Sequence, residues 1–153
     1  MALTIQPIEA PYPALGIATH FLARRAPFSG FRFGDFVNTL DGQIRRRHAL
    51  FAIDDGRMVG YLGWAVYSAE DARQFACTGR PPPNDRANGT EVVWVLTAAA
   101  VSPAGFKALI DTGKSLNIGR RAMGVRYKPS GAKIVFDQLI RARHNGPAGR
   151  YSD

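Results

Sequence analysis

The chain has 153 residues with a single cysteine, 46% apolar side chains, and 20 basic against 12 acidic groups, a formal charge of +8. A chain of this length can bury roughly two-thirds of its unfolded surface, which excludes collagenous, coiled-coil and disordered classes and makes disulfides unnecessary. No apolar run approaches the roughly 18 residues that span a bilayer, the start lacks a signal-peptide pattern, and Cys77 has no intrachain thiol partner, so a soluble cytoplasmic protein is expected.

In chain order, residues 6 to 13 read as a Pro-punctuated arm. A helix follows over residues 14 to 26, where Leu15, Ala18, Leu22 and Arg25 recur at helical spacing, and Pro27 and Gly30 end it. A second helix is expected over residues 34 to 44, with Phe36, Val37, Leu40 and Ile44 on one stripe and Asp35 near the positive N-terminal end. The period then changes to two. Residues 48 to 53 and 58 to 67 read as strands joined by the hairpin signal Asp54-Asp55-Gly56. Ser68, with Asp71 three positions on, starts a helix running to about Cys77, and residues 79 to 90, with three prolines in a row, form a loop.

Residues 91 to 101 are almost wholly apolar, as in a central strand buried on both faces. Ser102 and Pro103 then form an N-cap and first helical position for a helix to about Ser115. Strands over residues 122 to 127 and 133 to 136 flank a Pro-Ser-Gly turn, a short helix is expected over 137 to 143, and residues 144 to 153 read as a disordered tail. No internal repeat or second domain is visible, so residues 1 to 143 are expected to form one domain. The class is α/β, a mixed and largely antiparallel sheet flanked by helices, compatible with an N-acetyltransferase-like architecture.

Most general chemical motifs are missing. There is no zinc-type spacing of Cys and His, no Walker loop, no Gly-x-Ser-x-Gly elbow and no Gly-x-Gly-x-x-Gly after a strand. Enzymes that use coenzyme A normally cradle its pyrophosphate on backbone amides between a central strand and the next helix. That junction here is Val101-Ser102-Pro103-Ala104-Gly105, with one Gly and a Pro that lacks an N–H, which disfavours a tightly bound nucleotide cofactor.

The histidines, His20, His48 and His144, are far apart in sequence, and each reads as an ordinary surface or hydrogen-bonded residue. Trp64 and Trp94 sit in strands and read as core. Residues 120 to 150 carry eight basic side chains, among them Arg120, Arg121 and Arg126, against one acid, Asp137. Such a field speeds encounter with an acidic partner without choosing its kind, and it equally describes a solvated surface that aids solubility. A single-stranded nucleic-acid reader would interleave exposed aromatics with these charges, and only Tyr127 and Tyr151 do so, which disfavours that class.

The segment from His48 to Ser68, with Tyr61, Trp64 and Ala65 in a Tyr-x-x-Trp-Ala pattern, resembles the strand, turn and strand of the lysine acyltransferases that activate RTX toxins. Ala14-Leu15-Gly16 resembles that family's Leu-Gly helix start, and the run from Arg121 to Arg126 with Lys133 its late hairpin, so the similarity extends over residues 14 to 136 in order. The resemblance implies transfer of a fatty acyl group from acyl carrier protein, rather than coenzyme A, to an internal lysine. It implies a carrier and a protein substrate as partners, allows a homodimer, and gives Trp64, Arg120, Arg121 and Arg126 a part in substrate binding. An acidic carrier would also account for the basic C-terminal third.

The family's catalytic pair is altered. Where its His follows Ser-Pro-x, this chain has Ala26-Pro27-Phe28-Ser29, which puts Ser29 at the general base; where its Asp stands on the central strand, Thr97 stands here, or Leu96 on a one-residue shift. A hydroxyl takes no proton from an ammonium near neutral pH without activation. Glu91 lies six residues before Thr97, about 20 Å along a strand, too far to substitute. His20, nine residues before Ser29, is the remaining candidate for a relocated centre. Two readings follow, an acyltransferase with altered catalytic residues and a non-catalytic relative that binds an acidic protein partner.

Overall fold

A computed structural model describes residues 2–83 and 86–143 of the chain. The elements run β1 (Leu3–Gln6), α1 (Pro11–Leu22), a single 3-10 turn (Phe28–Gly30), α2 (Phe33–Arg45), β2 (Ala49–Asp54), β3 (Arg57–Tyr67), α3 (Ala69–Thr78), β4 (Val92–Ala100), α4 (Pro103–Ser115), β5 (Arg121–Tyr127) and β6 (Lys133–Leu139). The six strands lie in the sheet in chain order. Each neighbouring pair is antiparallel except β4 and β5, which are parallel with α4 between them in the chain. This mixed, largely antiparallel sheet flanked by helices is the α/β class expected from the sequence.

Local chemistry accounts for most element ends. The β2–β3 hairpin turns through Asp55 and Gly56 at φ of 50° and 71°, the paired left-handed conformation that suits the twist of a two-residue hairpin. Ser68 accepts a hydrogen bond from the Asp71 amide at the start of α3, and Gly79 ends that helix at φ 68°. Ser102 likewise caps α4 by accepting from the Gly105 amide.

Three expectations are corrected. The expected arm of residues 6 to 13 is bounded by structure on both sides: β1, whose four residues pair with β2, runs into it as far as Gln6, and Pro11 already opens α1, where a missing N–H costs nothing; that helix stops at Leu22 rather than near Ala26. The short helix expected over residues 137 to 143 is absent: β6 runs on to Leu139, held by its ladder with β5 and by the ion pair of Arg121 with Asp137. The apolar strand is fully buried only over Val92 to Trp94 and half-buried from Val95 on, apart from Thr97, for a reason given below. The tail expected at 144 to 153, with His144, lies outside the described residues.

Side chains fill both faces of the sheet. Leu22, Leu40, Phe51 and Tyr61 tie α1 and α2 to β2 and β3, and Trp94, Tyr67 and Ala72 join α3 to the far end of β3 and β4. On the other face Leu109 of α4 packs with Leu50, Leu62, Trp64 and Val93. No helix among the described residues is long and apolar enough to cross a membrane.

His48 stacks on Trp64, with ring centroids 5.7 Å apart, and neither its Nδ1 nor the Trp64 Nε1 has a hydrogen-bond partner among the described residues. Burial, then the charges of Arg46 and Arg120, lowers the His48 pKa to about 4. Below pH 6.5 the unfolded chain takes up this proton and the folded chain does not, so stability falls as pH drops from 6.5 to 4. After allowance for partial exposure the loss is of order 1 kcal/mol. Urea midpoints at pH 7 and pH 4.5 should show it, and His48→Phe should remove that share of the difference.

Candidate functional site

The β3–β4 ladder slips between Gly63 and Trp64: Gly63 pairs with Thr97, but Trp64 pairs with Val95, so Leu96 is an extra residue and β4 bulges there. The ladder with β5 stops at the same level. Val92 to Val95 pair with Arg121 to Gly124, and beyond them the two parallel strands part. Toward β5, residues 96 to 100 of β4 have no strand partner among the described residues, while β3 still holds their other side as far as Ala100. The result is a wedge-shaped opening in the sheet. Ala98, Ala99 and Ala100 keep its β4 wall low and half-buried, and Val125 and Tyr127 stand exposed across it.

Behind the wedge lies a buried polar chain. The Tyr61 hydroxyl donates to Gln43 Oε1 at 2.7 Å, and Gln43 Nε2 donates to the Thr97 hydroxyl at 3.2 Å. All three residues are buried, and burial pushes the Tyr61 phenol far above its ordinary range, so it stays neutral. The carboxamide fits because residue 63 is glycine: a Cβ there would fall 1.9 Å from Gln43 Oε1.

At the open end of the wedge stands the N-terminus of α4. Pro103 has no N–H, the Gly105 amide is taken by Ser102 Oγ, and the Phe106 amide donates to the Ser102 carbonyl. Ala104 supplies the one free amide of that turn, where a pyrophosphate cradle needs several. These residues do not fit the nucleotide half of coenzyme A.

The residues singled out in the sequence are dispersed. Thr97 is buried and its printed partner is Gln43; Ser29 is exposed on the 3-10 turn, its amide donating to the Arg25 carbonyl. His20 is exposed on α1, and no carboxylate among the described residues pairs with it or with Ser29. Trp64 is 4% exposed beneath α4, on the face of the sheet opposite Thr97, so it offers no binding surface. Arg120 donates to Asn117 Oδ1, Arg121 grips Asp137 with two bonds of 3.0 and 2.7 Å, and Arg126 lies 5.1 Å over the Phe136 ring with its head exposed. Glu91 accepts from the Ala69 amide at 2.6 Å and so caps α3. Gln43 and Gly63 were missed. Gln43 follows Phe36 and Leu40 at helical spacing, and a polar residue on an apolar stripe was the available signal.

No protein-family model matches the chain, and no curated protein matches it. A solved structure of N-acetylglutamate synthase from Neisseria gonorrhoeae, complexed with coenzyme A and N-acetyl-glutamate, is similar at 13% identity and a TM-score of 0.43. The similarity covers 85% of this chain and 26% of that one, so the chain spans about a quarter of that protein's length.

Proposed function

We propose that the chain is an acyltransferase-like protein that takes the acyl-bearing arm of an acyl carrier protein into the wedge between β4 and β5 and passes the acyl group to an amine, a protein lysine by its resemblance to RTX toxin-activating acyltransferases. The parting of β4 from β5 after Val95 and Gly124 carries the reading. An extended arm with amide groups can bond to the free edge of residues 96 to 100, as an added strand would. The spent amides of α4 favour a carrier-borne arm over free coenzyme A, and the basic side chains of β5 and β6 suit an acidic carrier.

Ser29 and Thr97 replace the family's acid–base pair, and neither can take a proton from an ammonium. The acceptor amine therefore reaches the thioester already neutral, deprotonated by solvent. Since a free lysine has a pKa of about 10.4, its reactive fraction rises about tenfold per pH unit below that value. Acyl transfer, read by mass spectrometry with acylated carrier and a lysine-containing protein, should climb at that slope from pH 7 to 9 and fall with added salt as docking weakens. The variant Ser29→Ala should transfer at an unchanged rate with the same slope, because the exposed Ser29 hydroxyl takes no proton from the amine. No transfer by either form would overturn the transferase reading. The second reading, a non-catalytic carrier-binding protein, is favoured by the engagement of the Thr97 hydroxyl by Gln43; it predicts saturable, salt-sensitive binding of acylated carrier without turnover.

A further inference from the structure

A second concavity of about 520 Å³ lies between α1 and the β2–β3 hairpin, and none of the wedge residues lines it. Its apolar floor is Ile17, Phe21, Ile53 and Met58, and its basic rim is His20, Arg24, Arg25 and Arg57. No lining residue is acidic. Arg25 is committed, its Nη1 donating to the Phe21 carbonyl at 2.7 Å and its guanidinium lying 3.8 Å from the Phe21 ring centroid. Arg24 and Arg57 have no ion pair among the described residues, although Asp54 pairs with Arg57 in the hairpin register and Asp55 follows at the turn.

Gly16 supplies an independent observation. It sits inside α1 and lines the concavity, and a Cβ built on it would meet nothing within 4 Å. No neighbour requires a glycine there, yet glycine in a helix interior costs about 1 kcal/mol relative to alanine. Its effect is to leave the helix backbone bare at the wall of an open space.

We infer that this concavity binds a single-chain anionic amphiphile of the fatty-acid carboxylate class, its chain on the four apolar side chains and its carboxylate on Arg24 and Arg57. Guanidinium groups fork onto a carboxylate, and no acid lines the concavity, Asp54 and Asp55 standing beside Arg57 at the hairpin turn but outside the lining. This site does not depend on acyl transfer in the wedge.

The test uses dodecanoate labelled with 13C at the carboxyl, held below its micelle concentration and titrated with the full chain, the carboxyl resonance giving the affinity. Saturable binding with a Kd below about 100 µM is expected, weakened about tenfold or more by Arg24→Gln with Arg57→Gln. Gly16→Leu, which suits a helix and has free space before it, should block binding while circular dichroism stays unchanged. Dodecanol should compete about tenfold less well than unlabelled dodecanoate. Failure to saturate, or equal affinity in all variants, overturns the inference. Retention on vesicles of phosphatidylcholine with phosphatidylglycerol, without binding of free dodecanoate, also overturns it and assigns the charges to a lipid surface.

Discussion

Gly89→Ala should lower stability by about 4 kcal/mol and the thermal midpoint by roughly 8–16 °C. A Cβ at residue 89 would lie 2.1 Å from the Tyr67 carbonyl carbon and 2.4 Å from the Ser68 nitrogen. Both are backbone atoms, so no change of rotamer relieves the overlap. The crossing is also bonded: the Gly89 amide donates to the Val66 carbonyl at 2.8 Å, and Asn88 forms a bridge to Val66. Added bulk must push the loop off the end of β3 and break that contact. Thermal unfolding followed by circular dichroism gives the number, with exposed Thr90→Ala as a control expected to change it by less than about 0.5 kcal/mol. A loss below about 1 kcal/mol at Gly89 would mean that the loop shifts without consequence for β3.

Gly63→Ala should cost about 3 kcal/mol by a different route. The obstructing atoms here are side-chain atoms, Gln43 Oε1 at 1.9 Å and Cδ at 2.5 Å, with Tyr61 Cε1 at 2.9 Å. The carboxamide can move away, but it then gives up the Tyr61 and Thr97 hydroxyls inside the core, where each unpaired polar group costs about 1–3 kcal/mol. Gln43→Ala alone strands the same two hydroxyls. The two substitutions share one cause, so the double variant should be less destabilised than the sum of the singles by about 1 kcal/mol or more. Urea denaturation of the four proteins measures this coupling, and strict additivity would show that residue 63 does not act through Gln43. In the double variant the wedge in front of Thr97 should lose its fixed back wall, so on the proposed function binding of acylated carrier should weaken along with stability.

The two predictions also divide what the sequence makes legible from what it does not. Asp55-Gly56 and the Ser-capped starts of α3 and α4 are local devices, each complete within four residues, and they could be read directly. β1 could not: four residues, Leu3 to Gln6, gain their conformation from the ladder with β2 rather than from their own periodicity. The end of β6 went the same way, because Arg121 reaches across to Asp137 and the ladder continues where residue preferences suggested a helix. The wedge was invisible for a related reason. An apolar run states that a strand is covered, not which neighbour covers it or where that neighbour departs. Thr97 was picked out because it stands at the place of the family's Asp in the resemblance, but its partner, Gln43, comes from 54 residues earlier, and the other partner of Gln43, Tyr61, comes from the neighbouring strand β3. Pro103 and Ser102, by contrast, carry their meaning in their own chemistry, and the limited anion capacity of the α4 end was readable in advance.

Sheet order here repeats chain order from one rim to the other. Each new strand therefore finds its neighbour already made, and the one parallel crossing, carried by α4, is from β4 to β5. On a ribosome, where residues appear at about 5–20 per second, β1 through β4 can add in turn as they emerge, and nothing threads back into finished structure. The late step is the docking of the β5–β6 hairpin, which leaves the nascent β4 edge bare until α4 has passed over it. In the finished protein that same edge is covered only as far as Val95, so the wedge is the part of a growing sheet that assembly never closes.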